Sequence, residues 1–261
     1  MRNRKNKSKI SFIFVILIFS LVSISYSYAG WNDVINTTGS VNTNDDFNYL
    51  CLRGYWKFDE NTGDIAYDSS PYENNGEITG ASWSLGKIDY ALDFDGNGDF
   101  VEVLDDDSID ITDEITIMAW IYTYSWDNPT DTYDVRNIID KGEHTSGNAY
   151  GIYSYNQSGD HKLHFRLNKD SNADVTSILP SLNTWHHIAA TFDGSILKIY
   201  TDGVKTGEKL YSGAIGTNNE PLYIGGAVNR DYWFNGKIDE LKIYDCAFTS
   251  DEIITVYNEY L

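Results

Sequence analysis

The stretch Trp185-His186-His187-Ile188-Ala189-Ala190-Thr191-Phe192, followed by Leu197-Lys198-Ile199-Tyr200-Thr201 and Asp202-Gly203, decides the fold. Apolar, β-branched and aromatic residues recur there with a period of two, the pattern of strands that bury one face. Asp202-Gly203 supplies the two central residues of a tight hairpin turn, because both accept positive φ. His186 and His187 are neighbours on a strand and face opposite ways, so they cannot share one ion; one is expected to tuck against the core beside Trp185.

The same pattern extends outward in both directions. Short runs of this kind occupy 50–58, 91–94, 100–104, 115–126, 137–141, 150–156, 162–168, 221–225 and 236–244, separated by Gly, Asn and Asp turns. Many short strands at such spacing predict an all-β antiparallel sandwich or barrel. A single helix is expected near the C-terminus: Thr249-Ser250-Asp251-Glu252 is a capping box, followed by Ile253, Ile254, Val256 and Tyr257.

The N-terminus reads differently. Arg2, Arg4, Lys5, Lys7 and Lys9 precede an apolar run over 10–24, and Ser27 and Ala29 occupy the small-residue positions of a cleavage site. The run is shorter than the ~20 residues a membrane span needs. A signal peptide over 1–29 is therefore expected, and a membrane association only if it stays uncleaved. Residues 30–49, rich in Asn, Thr, Asp and Gly, read as a linker, which leaves 50–261 as one large β-domain. Such a chain is secreted or held at the cell surface.

The formal charge of −20 becomes −25 once the five basic residues of the leader are removed. That surface repels phosphate backbones, which argues against nucleic acid, and attracts divalent cations. Two cysteines, Cys51 and Cys246, lie near opposite ends of the β-domain. In an oxidising compartment they are expected to form a disulfide. Asn36 and Asn156 begin Asn-x-Thr/Ser sequons.

Seven segments in order carry a resemblance. They are Gly54-Tyr55-Trp56-Lys57-Phe58-Asp59-Glu60; Asp68-Ser69-Ser70 with Asn74-Asn75-Gly76; Ala91-Leu92-Asp93-Phe94-Asp95-Gly96 with Asp99-Phe100-Val101; Ile115-Thr116-Ile117-Met118-Ala119-Trp120-Ile121; Trp185-His186-His187-Ile188-Ala189; Ile199-Tyr200-Thr201-Asp202-Gly203; and Gly236-Lys237-Ile238-Asp239-Glu240-Leu241-Lys242-Ile243-Tyr244. Together they resemble the laminin-G-like jelly roll of the concanavalin A-like lectin and glucanase superfamily. The resemblance implies a two-sheet antiparallel jelly-roll sandwich whose first and last strands are neighbours, within which Cys51 and Cys246 come into reach of each other.

The fold alone does not settle function, since it carries lectins, pentraxins, adhesion domains and glycosidases. The Glu-x-Asp-x-x-Glu run of the β-glucan-cutting members is absent. Asp239 and Glu240 are adjacent and are expected to point to opposite faces, so they cannot flank one bond. No Gly-x-Ser-x-Gly elbow is present. The chain therefore reads as a non-catalytic binding module for an extracellular glycan or, alternatively, a surface adhesion protein contacting protein ligands; a glycosidase with an unfamiliar site is the third reading.

Calcium is the cofactor that the resemblance implies. By likeness to pentraxins its ligands would be Asp160, Asn229 and Asp231; by likeness to the structural site of related glucanases, Asp239 with backbone carbonyls. The EF-hand-like Asp93-Phe94-Asp95-Gly96-Asn97-Gly98 has Leu104 at the twelfth position, where a bidentate Glu is needed, and reads as a hairpin turn. Sugar binding calls for aromatic faces and hydrogen-bonding forks. Alternation places His164 and Arg166 on one face, next to Tyr153 and Tyr155 of the preceding strand, and Tyr232 and Trp233 sit in a loop. These six are the candidate ligand contacts.

Overall fold

The computed structural model describes residues 50–142, 149–226 and 231–261. Within them, sixteen strands form two antiparallel sheets. The first sheet is ordered β14 (Val204–Leu210), β13 (Ile196–Thr201), β12 (Trp185–Phe192), β7 (Ile115–Thr123), β16 (Asn235–Tyr244), β5 (Tyr90–Asp95) and β4 (Ser82–Leu85), with β1 (Leu52–Trp56) also paired to β16. The second is ordered β11 (Asp174–Ile178), β10 (Asp160–Leu167), β9 (Tyr150–Gln157), β8 (Arg136–Lys141), β15 (Leu222–Ile224), β6 (Phe100–Val103), β3 (Gly76–Thr79) and β2 (Ile65–Ala66). This is the expected jelly-roll sandwich. The expected leader and linker lie outside the described residues.

Alternation explains why the sheets stack. Leu163, Phe165 and Leu167 of β10 join Ile152 of β9 and Val175 of β11 in one core with Ile117, Ile188, Leu197, Ile199 and Ile238 of the first sheet. Burying each such side chain contributes roughly 1.5–3 kcal/mol. The residues between them, Tyr153, Tyr155, His164 and Arg166, are left on the outer face of the second sheet. The β13–β14 turn is the expected one, with φ of 51° at Asp202 and 75° at Gly203.

The C-terminal helix α1 (Ser250–Asn258) begins as its capping box requires: Thr249 Oγ1 accepts the Glu252 amide at 3.3 Å, and Glu252 Oε2 accepts the Thr249 amide at 2.7 Å. Ile253 pins the helix to a second small core with Met118, Ala189, Tyr200 and Phe248. Cys51 and Cys246 belong to the same cluster and form a disulfide with Cα atoms 5.9 Å apart. β1 and the end of β16 are adjacent strands, so the bond closes nearly the whole domain.

Two expectations need correction. The pairing of β16 with β7 is interrupted by a bulge between Asp239 and Lys242, where Glu240 takes φ of 51°. The extra residue turns Glu240 to the same outer face as Asp239, so the two adjacent carboxylates do not oppose each other across the sheet. His187 is the buried histidine of its pair, but it packs on Trp120 (5.4 Å) and Tyr257 of α1 (6.1 Å), whereas Trp185 packs on Tyr122.

Candidate functional site

The outer face of β9, β10 and β11, closed at one edge by β14 and at the other by the β8 end and Tyr232, forms a groove of about 600 Å³. Strand register assembles it: His164 lies opposite Tyr153 on one side and Thr176 on the other, and Arg166 lies opposite Asp174. Tyr153 and His164 stack nearly parallel, with ring centroids 5.4 Å apart and 9° between planes. Tyr155 stands edge-on to His164 at 5.6 Å and is itself stacked on Tyr133 at 5.5 Å. Tyr153, Tyr155, His164, Arg166 and Tyr232, five of the six candidate contacts, line this one cavity. The sixth, Trp233, does not; it stacks on Phe100 at 5.9 Å.

Asp174 organises the polar side of the groove. It accepts from Arg166 Nε at 3.0 Å and from Arg166 Nη2, and its Oδ1 lies 3.0 Å from His164 Nδ1. The Arg166 guanidinium carbon sits 5.4 Å from the Tyr153 ring. Burial works against its charge, but Tyr153 and Asp174 prevail and raise its pKa. Burial pushes the Tyr153 phenol well above the tyrosine range, so it stays a neutral hydroxyl. Glu208 and Lys209 of β14 also line the groove; Lys209 Nζ donates to the Ser171 carbonyl at 2.8 Å and Glu208 pairs with Lys205. Arg166 is thus paired with Asp174 and Glu208 with Lys205, while Lys209 is held by a neutral carbonyl; the lining carries two cationic and two anionic side chains. β11 and β14 escaped the sequence reading because β11 offers one large inward apolar side chain and β14 is mostly exposed.

The family described as concanavalin A-like lectin/glucanases superfamily matches residues 95–254, more than half of the chain. The chain belongs to this superfamily. Mouse (Mus musculus) pappalysin-1 is 28% identical over 182 residues, covering 63% of this chain and 11% of pappalysin-1. The chain therefore spans about a tenth of that relative. Among solved structures, the binding domain of Paraclostridial Mosquitocidal Protein 1 is similar with a TM-score of 0.63 and 19% identity, over 81% of this chain and 53% of that one. Domain 4 of AbnA, a GH43 extracellular arabinanase from Geobacillus stearothermophilus, in complex with arabinotriose, is similar with a TM-score of 0.61 and 21% identity, over 79% and 98%.

The four residues expected to hold calcium differ sharply. Asp239 is fully buried; its Oδ2 accepts the Lys87 and Ile88 amides at 2.8 and 3.0 Å, while its Oδ1 is buried without a partner. Burial lifts its carboxyl to about 7, with the Glu240 and Asp59 charges adding and the two amides opposing. A Cβ placed on Gly86 would sit 2.3 Å from the Tyr90 carbonyl oxygen and 2.6 Å from both the Ile88 carbonyl oxygen and Asp239 Oδ2. Buried carboxylate and convergent carbonyls are the donor set a hard cation takes, so these residues fit calcium. Asp160 is exposed and pairs with Lys162 at 2.8 Å; Asp231 is exposed, with its carbonyl accepting from Asn128; Asn229 lies outside the described residues. Among the described residues, the one group of three His or acidic side chains whose ligand atoms come within 4.8 Å of each other is Asp127, Asp134 and His161, none of them a sequence candidate.

One arrangement bears on catalysis. Ser181 Oγ lies 2.7 Å from His186 Nε2, and His186 Nδ1 lies 2.7 Å from Asp202 Oδ2. Asp202 also accepts the His187 amide at 2.9 Å, so the trio ties the β13–β14 turn to β12. It lies outside the groove and outside the second cavity of about 620 Å³, which six carboxylates and Arg53 line.

Proposed function

We propose that this chain is a secreted, non-catalytic carbohydrate-binding module whose groove over β9–β11 takes a neutral oligosaccharide. The observation that carries this reading is the convergence of Tyr153, Tyr155, His164, Arg166, Asp174 and Tyr232 on one open cavity. The partly exposed rings of Tyr155 and Tyr232 offer stacking surfaces to pyranose or furanose C–H groups, with Tyr153 and His164 buried beneath as their support, and a fixed guanidinium–carboxylate pair offers donors and acceptors for adjacent hydroxyls. Arg166 and Lys209 balance Asp174 and Glu208 in number along the groove, and Arg166 is already spent on Asp174. That balance favours neutral glycans. The likeness to a domain bound to arabinotriose supports a sugar as the ligand class, and the disulfide supports an oxidising, extracellular setting. Calcium held by Asp239 and the carbonyls of Ile88 and Tyr90 would brace the β4–β5 turn against β16, away from the groove, which makes its role structural.

The second cavity supports the glycan reading less: its one aromatic ring, Tyr72, is engaged by Arg53. A glycan array with and without chelator tests the proposal. Retention of neutral oligosaccharides, lost on Arg166→Ala, is expected; retention of protein ligands alone would replace it with the adhesion reading.

A further inference from the structure

The loop between β7 and β8, residues 124–135, and the hairpin joining β9 to β10 meet at one end of the sandwich. Asp127 and Asp134 come from the loop, and His161 from the start of β10, opposite Asn156 in register. One ligand atom of each lies within 4.8 Å of the other two. His161 Nε2 is shielded from solvent and has no hydrogen-bond partner. Asp134 is fixed in place, since its Oδ1 accepts the Asn128 amide and its Oδ2 accepts Asn156 Nδ2, each at 2.9 Å. The nearby Arg136 is committed to the carbonyls of Gly96, Asp127 and Trp233. The imidazole Nε2 is thus an acceptor with no donor, held close to two carboxylates, one of which is fixed in place by two donors and the other of which is exposed.

We propose that Asp127, Asp134 and His161 bind one divalent cation of the zinc class, which fastens the β7–β8 loop to the β9–β10 hairpin. A nitrogen donor beside two carboxylates suits zinc, whereas calcium and magnesium take oxygen alone. Tetrahedral zinc with bonds of ~2.1 Å holds its ligand atoms about 3.4 Å apart. The exposed Asp127 side chain can close that difference by a rotamer change, and a fourth position stays open to water. The fastened loop carries Val135, which lines the groove, and Tyr133, which stacks on Tyr155. The inference stands whether or not the groove binds sugar.

Calorimetric titration of zinc into the chelator-treated full chain tests it, with calcium titrated in parallel. The expected result is one zinc per chain, unaffected by millimolar calcium and weakened at least tenfold by His161→Gln. Asp127→Asn, at an exposed side chain, is expected to weaken it likewise without disturbing the fold. Cobalt(II) should give a visible absorption band that His161→Gln removes. No zinc binding by the parent, or equal affinity in both variants, overturns the proposal.

Discussion

Replacing Asp174 by Asn isolates the polar organiser of the groove. The change keeps shape and one carbonyl oxygen but removes the charge that Arg166 and His164 share. The Asp174 side chain is only 9% exposed and the Arg166 side chain 24%. A hydrogen bond to a charged group contributes about 1.5–3 kcal/mol, and partial exposure of Arg166 pulls the total toward the lower end. The expected loss is about 2 kcal/mol. For a domain of this size that lowers Tm by roughly 5 °C. The consequence for binding is more diagnostic. The guanidinium, no longer neutralised, should lose its fixed orientation over Tyr153, weakening neutral oligosaccharides by about tenfold, or roughly 1.4 kcal/mol. It also becomes an unmatched cation, so carboxylated sugars should gain affinity. Differential scanning fluorimetry and calorimetric titration of a neutral and a carboxylated glycan read both effects. Unchanged Tm together with unchanged preference between the two glycans would refute the assignment of Asp174.

Three further outcomes are expected. Burial, with the Lys242 charge, depresses the His187 imidazole to about 4; a depressed base stabilises the fold above its unfolded pKa of about 6.5 and loses that stability as pH falls through 4, by up to about 3 kcal/mol. His187→Gln should flatten the urea-derived stability between pH 7 and 4, and an unaltered slope would contradict it. The Cys51–Cys246 bond joins residues 195 apart, so its removal by paired Cys→Ala changes should cost about 5 kcal/mol in the chain-entropy account, measured by urea titration. Calcium in hundredfold excess over its Kd should add about 2.7 kcal/mol to stability; the gain should vanish in Asp239→Asn and persist in the Asp160→Asn, Asp231→Asn double variant, and the reverse pattern would move the site to the hairpin tip.

What could be read from the sequence was what period and punctuation encode. The strands around Trp120, Ile188 and Ile238, the Asp202-Gly203 turn and the Thr249 capping box rest on local chemistry, and all appear as expected. Alternation also put His164 and Arg166 on the groove face with Tyr153 and Tyr155. The missing parts depend on distant pairing. Asp174 sits on a strand whose small and polar residues hide its period, and it meets Arg166 only through register. Glu240 gives no sign of its positive φ, because a glutamate does not advertise a bulge as a glycine does. Asp127 and Asp134 share the β7–β8 loop but His161 opens β10, so only the packing of loop on hairpin brings the three together.

The central claim is that the face of β9–β11 binds glycan through its aromatic platform. The direct measurement is calorimetric titration of the strongest neutral oligosaccharide from the array into the parent and into Tyr155→Ala, with circular dichroism confirming an intact fold. Stacking against one aromatic ring contributes about 1 kcal/mol, so roughly a fivefold loss of affinity is expected. Equal affinity in parent and variant would place the ligand elsewhere than on the β9–β11 face.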